Sequence, residues 1–215
     1  MATLEQISAL LAPEGLAVLG LCQADRTTLP DGVATLALLG PDAQNFWPIF
    51  TRSAEYIDGA PDPMDRWSHR IIGGLAEELS ARAIFPFGAT PPHPFYSWAL
   101  ASGRVWSSPV RFLVHEHAGL WVSFRGALGF ADRVKDGPAP RNPCTDCPAP
   151  CVTACPVAAL VPEGYDVAAC HDFLDSPDGQ GCMTGGCDVR AACPVSQRWG
   201  RKPAHSEFHM RQFHR

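Results

Sequence analysis

Apolar residues along the first 130 positions switch between a helical period of three to four and unbroken extended runs. Residues 3–12 read as a short helix, with Leu4, Ile7, Leu10 and Leu11 on one face and Thr3-x-x-Gln6 in the form of a capping box. Gly15 ends that turn. The apolar runs 16–22 and 33–39 read as buried strands, the second closed by Gly40-Pro41-Asp42. Residues 43–56 read as one aromatic-rich helix interrupted by Pro48. A longer helix follows, with Asp62 as its expected N-cap, Pro63 at its first position, and Met64, Trp67, Ile71, Leu75 and Leu79 along one stripe. Residues 83–87 read as a strand, 88–94 as a loop and 95–101 as a helical segment. The segments 110–115 and 120–130 predict an antiparallel hairpin turning at Glu116–Gly119, with Trp121, Ser123 and Arg125 on one side of its second strand.

The pattern breaks at 136–150, where Pro, Gly and charge take over, as at a domain boundary. The expected organisation is an α+β domain over 1–135, a Pro/Gly-rich linker over 136–143 and a second small domain over 144–215. A hydrophobic content of 46% in 215 residues is ample for packed cores. No apolar run approaches the eighteen or so residues of a membrane span, so no membrane partner is expected. The net charge of −5 argues against general nucleic-acid binding. The first residues, Met1-Ala-Thr-Leu-Glu-Gln6, carry no basic export region, and a cytoplasmic location is expected.

Candidate chemistry concentrates between Cys144 and Cys193, which hold eight of the nine cysteines. The run Cys144-Thr-Asp-Cys147-Pro-Ala-Pro-Cys151-Val-Thr-Ala-Cys155-Pro156 is C-x2-C-x3-C-x3-C-P, one residue longer than the run of bacterial two-cluster ferredoxins. Cys170, Cys182, Cys187 and Cys193-Pro194 follow. Thiolate is a soft ligand that selects iron–sulfur clusters, zinc or copper(I). Eight thiols match two [4Fe-4S] clusters, and in two-cluster ferredoxins the cysteine before proline ligates the other cluster. The two Cys-Pro pairs therefore assign Cys144, Cys147, Cys151 and Cys193 to one cluster, and Cys155, Cys170, Cys182 and Cys187 to the other. A disulfide framework, structural zinc, or a single cluster with a degraded second half compete with this reading.

Outside the cysteine region the signals are thinner. Cys22 lies in an apolar run and reads as an inert core thiol. His93 is the loop histidine to watch, although nothing beside it in sequence supplies an acid–base partner. His115 and His117 read as a hairpin tip, and His205 and His209 fall four apart on a short helix without the Glu of a metalloprotease motif. From Arg190 onward Arg190, Arg198, Arg201, Lys202, Arg211 and Arg215 face only Glu207. That basic tail is a solvated surface, a docking patch, or compensation for cluster charge.

Two family resemblances cover nearly the whole chain. Residues 144–194 resemble the C-terminal cluster domain of epoxyqueuosine reductases and reductive dehalogenases. Cys170 fits their lone cysteine, and Gly186-Cys187-Asp188 with Cys193-Pro194 looks like their closing segment. Where those families carry a further cysteine, this chain has Arg190, so Cys182 would supply that ligand. Residues 33–135 are similar to the cobalamin-processing CblC proteins through Asp62-Pro-Met-Asp65, His93-Pro94 and His115…Gly119-Leu-Trp121…Phe124-Arg125-Gly126. The resemblances imply a nitroreductase-like, CblC-like α+β domain beside a ferredoxin-like Fe–S domain. They imply a corrinoid or flavin near Arg125 and His93, and electron delivery from the clusters. The expected function is single-electron transfer through two [4Fe-4S] clusters to a redox partner protein or small-molecule acceptor. The alternatives are a corrinoid- or flavin-dependent reductase and a zinc-stabilised interaction module.

Overall fold

A computed structural model describes residues 2–214 and shows a mixed α+β chain in two compact units. One unit holds the chain up to Val105 together with Ser123–Pro140; the other holds Trp106–Val122 together with the chain from Arg141 onward. Residues 106–122, expected in the first domain, thus belong with the cysteine region. The third and last crossing, after Pro140, falls inside the Pro/Gly-rich stretch. Arg215 of the basic tail lies outside the described residues.

In the first unit α1 (Leu4–Leu11) begins with the expected capping box: Thr3 Oγ1 accepts from the Gln6 N–H at 3.2 Å and Gln6 Oε1 from the Thr3 N–H at 2.9 Å. Strands β1 (Leu16–Gln23) and β2 (Thr35–Pro41) pair antiparallel. The helix expected over 43–56 is instead two short ones, α2 (Phe46–Phe50) and α3 (Ala54–Ile57). The break comes at Ser53, whose Oγ accepts from the Tyr56 N–H at 3.3 Å and so starts a new helix. Helix α4 (Pro63–Glu78) forms, but its buried face runs through Met64, Trp67, Ile72, Leu75 and Ala76; Ile71, expected there, is only partly buried, and Leu79 lies past the helix end. Asp62 precedes it but makes no side-chain cap, a correction with a clear cause. Its φ of 50° is left-handed, whereas a capping residue sits in extended backbone.

Next come β3 (Arg82–Ile84), shorter than expected, and α5 (Phe95–Ala101). After β4 (Val105–Ser107) and β5 (Leu113–His115), the chain returns to the first unit as β6 (Gly126–Phe130). The sheet order is β1-β2-β6-β3, antiparallel throughout. The expected hairpin of 110–115 with 120–130 therefore does not form; β5 pairs with β4. A single bridge, His115 with Gly119, remains of it. The backbone donors after the turn are used elsewhere: the Leu120 N–H bonds Ser196 Oγ at 2.8 Å and the Arg125 N–H bonds the Leu39 carbonyl at 2.8 Å.

Strand β2 is central and buried along its whole length, which explains its unbroken apolar run. Helices α1, α4 and α5 pack on the sheet. Phe46 stacks on Phe50 at 5.7 Å and meets Trp67 edge-on at 5.3 Å, so the fragmented helices are anchored by aromatic contact rather than by length. Gln23 donates to the Val134 carbonyl at 3.0 Å and accepts from Thr35, while the Val134 N–H donates to Thr35 Oγ1 at 2.9 Å. This buried network ties the outgoing chain to the sheet.

The second unit is built from short pieces. These are the β4–β5 pair, the ribbon of β7 (Leu160–Val161) with β8 (Gly164–Tyr165), and helices α6 (Val167–Asp175), α7 (Gln180–Gly185), α8 (Asp188–Ala191), α9 (Pro194–Trp199) and α10 (Pro203–Phe213). Its apolar cluster joins Val110, Val114, Leu120, Leu160, Val189 and Val195 to Cys151 and Cys193. Gly119, at φ 56°, lies so close to Ser196 that an added Cβ would fall 2.4 Å from the Ser196 nitrogen. This close approach fixes the start of α9, and with it Cys193, against the 118–120 turn. Among the described residues no helix is long and apolar enough to cross a membrane.

Trp67 is 1% exposed at the centre of the first unit's aromatic group. Trp67→Ala is expected to cost about 3–5 kcal/mol of unfolding free energy in a denaturant titration. A loss under about 1 kcal/mol would show that this group does not anchor α2 and α3 to α4.

Candidate thiol centre

The first thiol set is assembled by a loop that folds on local bonds. Asn142 Oδ1 accepts from the Cys144 N–H at 2.9 Å, and the Cys147 N–H turns back to the Cys144 carbonyl at 3.3 Å. Ala149, left-handed at φ 52°, redirects the chain into a 3-10 turn over Pro150–Val152 that carries Cys151 inward. Its N–H points at Cys147 Sγ at 3.4 Å. Cys193 arrives from the far end of the sequence, at the N-cap position of α9 with Pro194 behind it. All four thiols line one cavity of about 340 Å³, together with Pro143, Pro148 and Val195. Burial pushes the Cys144 thiol up to about 11, and Cys147, Cys193 and Cys151 add to the rise. Burial also raises Cys151, again with Cys193 and Cys147 contributing. Cys144 and Cys151 thus feel the charge of the neighbouring thiols, an arrangement relieved by a cationic guest that takes them as thiolates.

The second set is partly assembled. Asp166 caps α6 by accepting from the Ala169 N–H at 3.0 Å and so positions Cys170, whose Sγ accepts from the Tyr165 hydroxyl at 3.4 Å. Cys187 precedes α8; burial raises its thiol, the Arg190 charge opposes that, and Cys170 adds to it. Cys182 on α7 is pushed up to about 11, first by burial, with Asp188 and Cys187 contributing. Cys170, Cys182 and Cys187 therefore share one neighbourhood. Cys155 accepts from the Ala159 N–H at 3.2 Å and packs, like Cys187, against the unit's apolar cluster. All nine cysteines are free thiols. Among the described residues no group of three or more His, Cys, Asp or Glu side chains draws close enough to hold a single metal ion.

Arg125 and His93, expected beside a corrinoid or flavin, each have partners within the first unit. Arg125 is 9% exposed; its guanidinium bonds Asp65 and, at 3.1 Å, Ser68 Oγ, and lies 5.8 Å from the Phe87 ring. Desolvation pulls the guanidinium below its usual range and Asp65 opposes this. His93 stacks on Trp98 at 5.7 Å. Among the described residues no hydrogen bond or ring contact joins His93 to Arg125. A cavity of about 310 Å³ in the first unit is lined by Gln23, Arg26, Arg133 and Lys135, and by neither of them.

Sequence reasoning missed Tyr165 and placed Arg190 and Arg201 within the basic tail. Tyr165 bonds Cys170, and Arg190 packs over Phe112 with its charge felt by Cys187. Arg201 lies over Trp121. For the two arginines the signal was the run of basic residues from Arg190 onward. His205 and His209 do face each other along α10, with Nε2 atoms 3.2 Å apart. Compared with protein-family models, with characterised proteins and with solved structures, the chain matches none.

Cys22 is a thiol of the opposite kind. It is fully buried, donates to the Trp98 carbonyl at 2.6 Å, and is pushed by desolvation up to about 12. In the metal-free reduced protein at pH 8, iodoacetamide is expected to label Cys22 last of the nine cysteines, and at the common rate after unfolding. Early native labelling, read by peptide mass, would remove it from the core.

Proposed function

We propose that this protein is an iron–sulfur electron carrier whose second unit, ferredoxin-like in plan, holds two [4Fe-4S] clusters. Cys144, Cys147, Cys151 and Cys193 would hold the first, and Cys155, Cys170, Cys182 and Cys187 the second. The observation that carries this reading is the single cavity lined by Cys144, Cys147, Cys151 and Cys193, which brings together thiols from both ends of the cysteine region. When bound, such a cluster supplies reversible one-electron oxidation and reduction.

The chain's own groups fit that guest. The N–H of Ala149 on Cys147 and that of Ala159 on Cys155 favour negative charge on sulfur, and hydrogen bonds to sulfur are a main determinant of cluster potential. Apolar packing around Cys151 and Cys193 keeps water from two of the first set. Structural zinc is the second reading; it takes four thiolates, whereas eight cysteines fall between Cys144 and Cys193. The corrinoid- or flavin-dependent alternative, with a nitroreductase- or CblC-like first unit, draws no specific support from Arg125, whose guanidinium is taken by Asp65. A redox partner protein or a small-molecule acceptor would receive the electron.

Protein purified without oxygen is expected to be brown, with about eight iron and eight sulfide per chain. Cys144→Ala and Cys147→Ala should each reduce iron by about half. Colourless protein carrying zinc, or iron unchanged in both variants, would end this reading.

A further inference from the structure

The first unit is acidic, with thirteen Asp and Glu against nine Lys and Arg. Three of those nine cations, Arg26, Arg133 and Lys135, nevertheless line one cavity of about 310 Å³. They come from two segments far apart in sequence, the turn after β1 and the chain leaving β6. The contacts that join these segments are buried. Gln23, 3% exposed, donates to the Val134 carbonyl at 3.0 Å, and the Val134 N–H donates to Thr35 Oγ1 at 2.9 Å. Burial of Val134 leaves its neighbours Arg133 and Lys135 on the solvent side, and the Arg26 N–H is tied back to the Gln23 carbonyl at 2.9 Å. A satisfied polar wall thus carries the three charges.

Carboxylates do not neutralise this wall. Asp136, the acid in the lining, accepts from Arg104 at 2.8 Å and from the Gly137 N–H at 2.8 Å. Arg133 meets Asp25 at 3.1 Å, but both side chains are more than half exposed, so the pair is weak and Arg133 can turn to another anion. Among the described residues the Arg26 and Lys135 side chains form no ion pair. Two cations are left over, and on one concave surface they raise the local concentration of anions. Among the described lining residues Val134 is the one large apolar side chain and none carries a ring, so a nucleobase would find nothing to stack on. The volume is near the lower end of small-molecule sites, which run from about 300 to 1,000 Å³.

We propose that this cavity binds a small phosphate dianion, free or as the phosphate group of an ester without a ring. A guanidinium offers paired N–H donors that match phosphate oxygens, and the Lys135 ammonium adds a point charge. Two uncompensated cations suit a group that carries close to two negative charges at neutral pH. The site gives the first unit a ligand that involves neither Arg125 nor His93, and it does not depend on the iron–sulfur reading.

The test uses the full chain, purified without oxygen and kept reduced, with ionic strength held constant by sodium chloride. Inorganic phosphate and glycerol phosphate are titrated separately by calorimetry, and amide shifts are followed by two-dimensional NMR. Wild type is expected to bind one equivalent with a Kd of about 1 mM or tighter, moving the amides of residues 133–137. Arg26→Gln and Lys135→Gln should each weaken binding about tenfold. Arg82→Gln, at an exposed cation outside the cavity, should leave it unchanged. All three positions are exposed, so the variants are expected to keep the wild-type spectrum away from the cavity. Preference for glycerol phosphate identifies an ester as the ligand, preference for inorganic phosphate the free ion, and each supports the site. The proposal is overturned if neither compound saturates by about 10 mM. Wild-type affinity in the Arg26→Gln, Lys135→Gln double variant, or an equal loss in Arg82→Gln, overturns it as well.

Discussion

Sulfur atoms that share a small volume repel one another as they ionise, and this constraint governs the second unit. Burial and neighbouring thiols together raise Cys144 and Cys151, and burial with Cys187 and Asp188 raises Cys182. The chain nevertheless brings these groups together, and it does so with a framework of very short elements, none of which could be stable alone. Cys151 and Cys193 are members of the unit's own apolar cluster. A guest that takes the sulfurs as thiolates would therefore remove a repulsion and complete a core at once. Folding and binding in such a unit draw on the same free energy.

The first unit obeys a different economy. Its buried polar groups are answered internally: Gln23, Thr35 and Val134 bond one another, and Arg125 meets Asp65 and Ser68. Removing Asp65 or Ser68 would leave a buried guanidinium uncompensated, which makes this pair part of the scaffold as it stands. Glu55, held near 2 by the Arg70 side chain, closes the α3–α4 contact in the same self-contained way. The units differ physically in this respect: one satisfies its buried charges from within, whereas the other leaves thiols in excess.

What could be read in the sequence was what depends on near neighbours. The capping box of α1, the helical period of α4 and the apolar run of β2 were legible because period and capping are local. The same local reading failed where a distant partner decided the outcome. Residues 120–125 look like a strand, but Ser196 and Leu39 take the backbone donors at its two ends. Residues 106–122 read as part of the first domain, yet the turn at Gly119 is locked onto Ser196, and the stretch joins the cysteine unit. Cys144, Cys147 and Cys151, grouped by their spacing, line one cavity with Cys193. Tyr165 and Arg201 carried no such spacing signal, because their relation to the thiols exists only once α6 and α10 are in place.

Arg190 shows why a departure from a familiar pattern can say more than agreement with it. Exchanging a thiol for a guanidinium removes one ligand and its negative charge and adds a positive one, so the local charge changes by about two units if that thiol would have been ionised. Neither change is neutral in a partly buried site. The first demands another donor, and Cys182 stands on α7 beside Cys187 in charge terms. The second is answered locally, for the Arg190 guanidinium lies over the Phe112 ring and donates to the Leu120 carbonyl. On the iron–sulfur reading proposed above, Cys182 would take over the ligand role beside Cys187.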